Sequence, residues 1–302
     1  MKVEKTVWNG KEGYLLQNES MEVFVNPEDG MNIYQMDWEG RQMIAWEEER
    51  YQRKATYGVP VLYPTPNRSE DLKIQAFGRQ YDARMHGLVK NLPFEVKAAE
   101  ADGQTALVTG VLLWNEAQPD YPMFPFPSTL RITVKALPDE VVWSYEVENC
   151  VEREMSYGIA VHPYFNKREQ EVKITVPAAS VMEMTEEKIP TGKLIPAGET
   201  VPDLRTPALV DSLSLDHVYT DCQAGAHAEI FYNDCKVKLE ATEEFGHIVV
   251  FTPKAPFFCI ENQSCSTDCF NLFAKGFVRE SGLQTVKAGE KKSGAIRFVF
   301  EK

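Results

Sequence analysis

The sequence predicts an all-β chain folded as a large antiparallel β-sandwich, and three observations predict it. Apolar and polar residues alternate with period two in one stretch after another. Gly, Pro, Asn and Asp turns separate these stretches where parallel crossovers would need amphipathic helices. No linker composition divides the 302 residues, so residues 1–302 are expected to form one continuous domain. A chain of this size with sheets to cover on both sides is satisfied by two sheets packed face to face.

In chain order, YLLQNESMEVFVNP is the first strand candidate. Residues 57–91, YGVPVLYPTPNRSEDLKIQAFGRQYDARMHGLVKN, start like a strand and continue as polar, glycine-containing loop. TALVTGVLLW reads as a strand. NEAQPDYPMFPFPS, residues 115–128, carries too many prolines for a regular helix and serves either ligand binding or capping of the core. STLRITVKALPDEVVWSYEVEN is a hairpin in which Leu130, Ile132 and Val134, then Val141, Trp143, Tyr145 and Val147, alternate with polar residues around a Pro-Asp connection. MSYGIAV, EVKITVP, AEIFYND, GHIVVFTP and GAIRFVF complete the set.

Composition excludes several functions. A formal charge of −13, from 45 acidic against 32 basic residues with no basic block, repels nucleic-acid backbones and anionic membranes. There is no apolar run of membrane-spanning length, and MKVEKTVWNGKEGYLL lacks an export pattern, so a cytoplasmic setting is expected. The six cysteines lack zinc spacing and are too sparse for a disulfide scaffold, which makes free thiols the expectation. Cys265 and Cys269 either face each other across one helical turn or sit on a flexible loop, and a redox role would need lowered thiol pKa values. No sequence feature specifies an oligomeric state.

Five histidines narrow the search for chemistry. His86, in DARMHGLVKN, is expected to emerge from a tight polar turn. His162 follows MSYGIAV and precedes Pro163, which stops a regular interior strand and places the imidazole at a rim, beside Tyr164 and Phe165. In SLSLDHVYTD, Asp216 shares a strand face with Val218 and can accept two hydroxyl hydrogen bonds if that face meets a pocket. His247, in EEFGHIVVFTP, reads as a strand-start residue, and His227 has no context that points to chemistry. Glu261 follows the apolar APFFCI and is carried by it towards a rim, where partial burial would make a carboxylate a useful base. Arg68 and Arg84 can bind polar ligand atoms.

VPVLYPTPNRS, ARMHGLVKN, VHPYFN, LDHVYTD, FCIENQSCSTDCFNL and the closing GLQTVKAGEKKSGAIRFVF occur in an order that resembles the aldose 1-epimerase, or galactose mutarotase, family across nearly the whole chain. The resemblance implies a galactose-mutarotase-like β-sandwich that interconverts α and β anomers of a hexopyranose with no metal and no organic cofactor. It also implies roles: Glu261 as general base, His162 as general acid, His86 as a second active-site histidine, and Asp216 and Arg68 as holders of sugar hydroxyls. An aromatic, Phe165 first and Tyr164 second, is expected to pack on the sugar's less polar face. HPYFN departs from the NHSYFN-like form of many galactose mutarotases and leaves the sugar open. A phosphorylated hexose is the alternative substrate, with Arg68, Arg79, Arg84 and Lys90 available for its phosphate. A non-catalytic carbohydrate-binding protein on the same fold is the rival to an enzyme.

Overall fold

A computed structural model describes all 302 residues. Its most regular part is the expected hairpin: Ser128–Leu137 pairs with Glu140–Asn149 in unbroken register, with Val134 opposite Trp143. Burial alternates strictly along both strands, as period-two patterning requires of a sheet with one wet face. The hairpin lies within an antiparallel nine-stranded sheet, next to the closing strand Lys291–Glu301 on one side and Ala106–Trp114 on the other.

The second large sheet has eight strands and is also antiparallel. It runs Pro190–Pro196, Ala178–Met184, Asp216–Cys222, His247–Phe251, Phe257–Gln263, Ala160–Val161 and Val61–Leu62, and Tyr164–Asn166 adds to Phe257–Gln263. Its inner face meets the nine-stranded sheet: Phe165 stacks on Phe258 at 5.8 Å between ring centres and reaches Phe298 of the closing strand at 6.2 Å. The core so formed is contiguous from Leu16 to Phe300. These are the two sheets of the predicted sandwich.

Two segments depart from the sequence expectation, a third resolves to one of its two alternatives, and strands Lys2–Trp8, Glu95–Ala101 and Lys236–Ala241 were not expected. YLLQNESMEVFVNP is two strands, Lys11–Gln17 and Met21–Asn26, because the Asn18 side chain accepts the N–H groups of Ser20 and Met21 and turns the chain. Both belong to a five-stranded N-terminal sheet. The 57–91 segment holds Val61–Leu62 and a small hairpin, Lys73–Ala76 with Arg79–Asp82. In the 115–128 loop Phe124 and Phe126 are buried and the Trp114 indole donates to the Phe124 carbonyl at 2.7 Å, so this loop caps the core.

Candidate functional site

The strands bearing His162 and Glu261 are neighbours. Ala160 pairs with Gln263, and Tyr164 with Cys259, so one continuous register sets His162 opposite Glu261. The backbone N–H groups of His162 and Tyr164 donate to the other flank, to Pro60 at 3.2 Å and Gly58 at 2.9 Å. His162 and Glu261 therefore form a non-hydrogen-bonded cross-strand pair, the kind whose side chains approach more closely. Pro163 removes the donor that would have faced Ile260, which splits the strand while keeping its register.

The rim expected for these two residues is corrected by this pairing. Both sit inside the sheet on its outer face, His162 4% and Glu261 1% exposed, because segment 58–62 flanks His162 on the side where Pro163 had suggested an edge. The imidazole Nε2 lies 3.2 Å from the Glu261 carboxylate. Tyr164 stacks flat on His162, with ring centres 4.6 Å apart and planes 5° apart. The Gln263 side chain, two residues along the same face, donates to the other oxygen of Glu261 at 2.9 Å.

Alternation along the strands selects the remaining groups. Asp216 pairs with Phe251, which pairs with Cys259 opposite Tyr164, so Asp216 and Phe251 join the outer-face row beside the His162–Glu261 row. Arg68 enters from a loop where Asn67 has φ 60° and donates to Asp216 at 2.9 Å. His86, also left-handed at φ 66°, is tied through its N–H to the Asn67 carbonyl, and its ring stands edge-on to His162 at 5.2 Å. Gly87 must follow: a Cβ there would lie 2.3 Å from the Tyr63 carbonyl oxygen.

Together these side chains line a cavity of about 350 Å³. His86, His162, Asp216, Arg68 and Glu261 all line it. Phe165 does not. One residue beyond Tyr164, it points to the opposite face and is fully buried between the sheets, so the expectation that it packs on a sugar is corrected; Tyr164 and Phe251 are the aromatics on the cavity wall. Of the four cations considered for a phosphate, Arg68 and Lys90 line the cavity. Arg84 is outside it and pairs with Asp120 at 2.7 Å, and Arg79 lies on the exposed edge of the small hairpin.

Arg50, Thr56 and Gln263 escape sequence reasoning. Arg50 lies in the charged run EEERYQR, which reads as a solvated face. In the structure it extends over Tyr164, donating to the Thr56 carbonyl at 2.8 Å and the Tyr164 hydroxyl at 3.1 Å. The Thr56 hydroxyl shares that phenol. Gln263 carries a usable signal, its position two residues after Glu261 on a strand.

The electrostatics follow from burial. Glu261 is raised well above the ordinary carboxylate range, chiefly by desolvation, with the Gln263 hydrogen bond opposing. Desolvation, then His86, holds His162 well below the ordinary imidazole value. His86 is pushed down to about 3 by burial, then by Lys90 and Arg68. Burial thus favours a carboxylic acid beside a neutral imidazole, where the sequence expectation was a carboxylate beside an imidazolium. The two arrangements contain the same number of protons. All six cysteines are unpaired, and burial raises the thiols of Cys259 and Cys269 well above their usual range, the reverse of what a reactive thiolate needs. His247 is a core histidine bonded to the Glu280 carbonyl, and His227 lies outside the cavity.

Comparison with known proteins gives one family. The aldose 1-epimerase pattern matches residues 14–299. A galactose mutarotase-like protein from Clostridium acetobutylicum superposes with a TM-score of 0.85 at 19% identity, over 99% of this chain and 98% of that one. Galactose 1-epimerase from Lactobacillus acidophilus NCFM gives 0.78 at 15% identity, over 99% and 98%. An aldose epimerase homologue from C. elegans gives 0.73 at 12% identity, over 94% and 96%. At these identities the structures establish the shared sandwich, and the pattern match across the chain establishes kinship: the chain belongs to the aldose 1-epimerase family.

Proposed function

We propose that the protein interconverts the α and β anomers of a hexopyranose by acid–base ring opening and closure, with Glu261 and His162 moving the protons. The observation that carries this is their 3.2 Å contact on the cavity wall. The ring oxygen and the anomeric hydroxyl of a pyranose are bonded to the same carbon, so a catalyst must reach two oxygens that are themselves close together. A carboxyl and an imidazole already in contact, each with a face towards the cavity, meet that demand.

In ring opening the Glu261 carboxylate accepts the proton of the anomeric hydroxyl while the His162 imidazolium donates one to the ring oxygen, and the bond between that oxygen and the anomeric carbon breaks. The pair is left as acid and neutral imidazole, the distribution that burial favours. Rotation of the aldehyde and closure on its other face run the transfers backwards. The pair's total proton count never changes, so no proton has to be exchanged with solvent during turnover. Moving both protons together avoids a full charge on the sugar. Gln263 and the nearby Arg68 stabilise the ionised carboxylate, offsetting part of its desolvation.

Asp216 and Arg68 hold hydroxyls as a joined pair, Asp216 accepting and Arg68 donating from its rigid fork. His86, kept neutral, offers one donor and one acceptor. Phe251 gives the sugar an apolar wall, while the Tyr164 ring, stacked on His162 with Arg50 over it, backs the imidazole.

The test is anomer exchange followed by polarimetry or NMR on freshly dissolved α-glucose, α-galactose and related pyranoses. Wild type should accelerate equilibration, and His162→Asn should lower kcat by roughly a hundredfold to ten-thousandfold while the protein stays folded. If His162→Asn changes KM alone, its proton-transfer role is wrong. Tight binding of pyranoses by folded wild type without exchange would make the protein a carbohydrate binder.

A further inference from the structure

We propose that the sugar bound in this cavity carries a negative charge, a carboxylate or a phosphate, placed against Lys90 and Arg50. The inference rests on the anomer-exchange reading and adds the substrate's chemical class. It starts from a mismatch of charge: in a chain of net charge −13, the cavity is lined by three cations, Arg50, Arg68 and Lys90. Outside the His162–Glu261 pair, the only carboxylate on its wall is Asp216, and Arg68 already engages it at 2.9 Å.

Lys90 makes no ion pair. Its ammonium donates to the Lys54 carbonyl at 3.1 Å. Asp29, the carboxylate that acts on it through space, is occupied by the Tyr34 and Tyr57 hydroxyls and by the Asn91 side chain. Arg50 has only Glu47 within ion-pair range, at 4.0 Å. A half-buried ammonium without a counter-ion costs free energy that a neutral wall would not, and donating to the hydroxyls of a neutral hexose supplies no opposite charge to offset it. An anionic substituent repays that cost on binding. Both cations act electrostatically on His162, so the charged end of the ligand lies within field reach of the reacting end, as a cavity of about 350 Å³ requires.

The test compares kcat/KM for anomer exchange of neutral hexoses, hexuronates and hexose 6-phosphates. The expectation is that one anionic class exceeds glucose and galactose by about tenfold or more, and which class does so separates carboxylate from phosphate. Lys90→Gln should shrink that ratio by about tenfold, Lys90→Arg should restore most of it, and added salt should raise KM for the anionic sugar. Equal or better use of neutral hexoses, or an unchanged ratio in folded Lys90→Gln, overturns the inference and leaves the exchange chemistry standing. If no sugar is exchanged at all, it is the exchange chemistry that fails. Calorimetric binding of the three sugar classes to the Glu261→Gln variant then decides the charge question: tighter binding of an anion supports it, and equal binding defeats it.

Discussion

The hairpin Ser128–Asn149 and the strand pair around His162 and Glu261 are both antiparallel, yet they use polar residues in opposite ways. The hairpin alternates, giving every second side chain to water and the rest to the core. Strand Phe257–Gln263 is buried at every position, and the chain beyond it keeps Ser264, Ser266, Thr267 and Asp268 buried as well. Buried polar groups are costly unless they are paired, and a site that needs a proton donor and acceptor away from water must accept that cost. One region is arranged for stability, and the other gives up some stability to hold its chemistry.

Breaking each region should therefore fail differently. Glu261→Gln should remove roughly a hundredfold to ten-thousandfold of kcat, measured by anomer exchange, while its thermal midpoint is held or raised because a buried ionisable group is lost. Trp143→Ala, in the hairpin, should cost about 3–5 kcal/mol by chemical denaturation and leave kcat intact where the protein remains folded. A Glu261→Gln variant that unfolds, or a folded Trp143→Ala variant that is inactive, would erase the contrast.

A smaller effect sharpens it. Gln263→Leu removes one hydrogen bond to a charged group and should lower kcat about tenfold to a hundredfold. The pH–rate profile supplies a second readout. The proton-transfer pair works while it holds one shared proton, so activity falls at low pH when both partners are protonated and at high pH when neither is. Burial lowers His162 and raises Glu261, which drives the limbs apart: the acid limb should lie below the ordinary imidazole value of 6.5 and the alkaline limb above the ordinary carboxylate value of 4.5. Gln263→Leu should move the alkaline limb higher, since that hydrogen bond lowers Glu261. An unmoved limb would give Gln263 a packing role only.

The smallest effect concerns two phenylalanines. Phe165→Leu should cost about 1 kcal/mol of stability and leave KM unchanged, because its ring lies between the sheets. Phe251→Leu, on the cavity wall, should change KM. Reversal of that pattern in the measured KM values would return Phe165 to the sugar.

Strands were legible in the sequence where apolar alternation or an apolar run was long, as in the hairpin and in GHIVVFTP, and were missed where charged residues dominate, as in Glu95–Ala101 and Lys236–Ala241. The hairpin could be delimited from Leu130, Val134, Trp143 and Val147 because alternation is a local property. The individual groups His86, His162, Asp216, Arg68 and Glu261 were legible as types in motifs. Their convergence was not, since His162 and Glu261 meet through a register that spans almost one hundred intervening residues. The proline after His162 suggested an edge because the flanking segment 58–62 is invisible locally. Arg50 was hidden by its charged neighbours, and Phe165 was misplaced by attention to motif membership over strand parity, which assigns Tyr164 outward and Phe165 inward.

The retained register across Pro163 has a consequence for how this chain tolerates changes in length. His162 meets Glu261 because both halves of the broken strand count from the same ladder, with no loop adjusting one towards the other. Deleting or inserting one residue between Ala160 and Tyr164, or between Cys259 and Gln263, would turn one partner to the inner face and separate the pair even if the sandwich still closed. The 115–128 cap is free of that parity constraint. Length variants of the two segments, assayed for folding and exchange separately, would distinguish residues that must keep their count from residues that need only fill space.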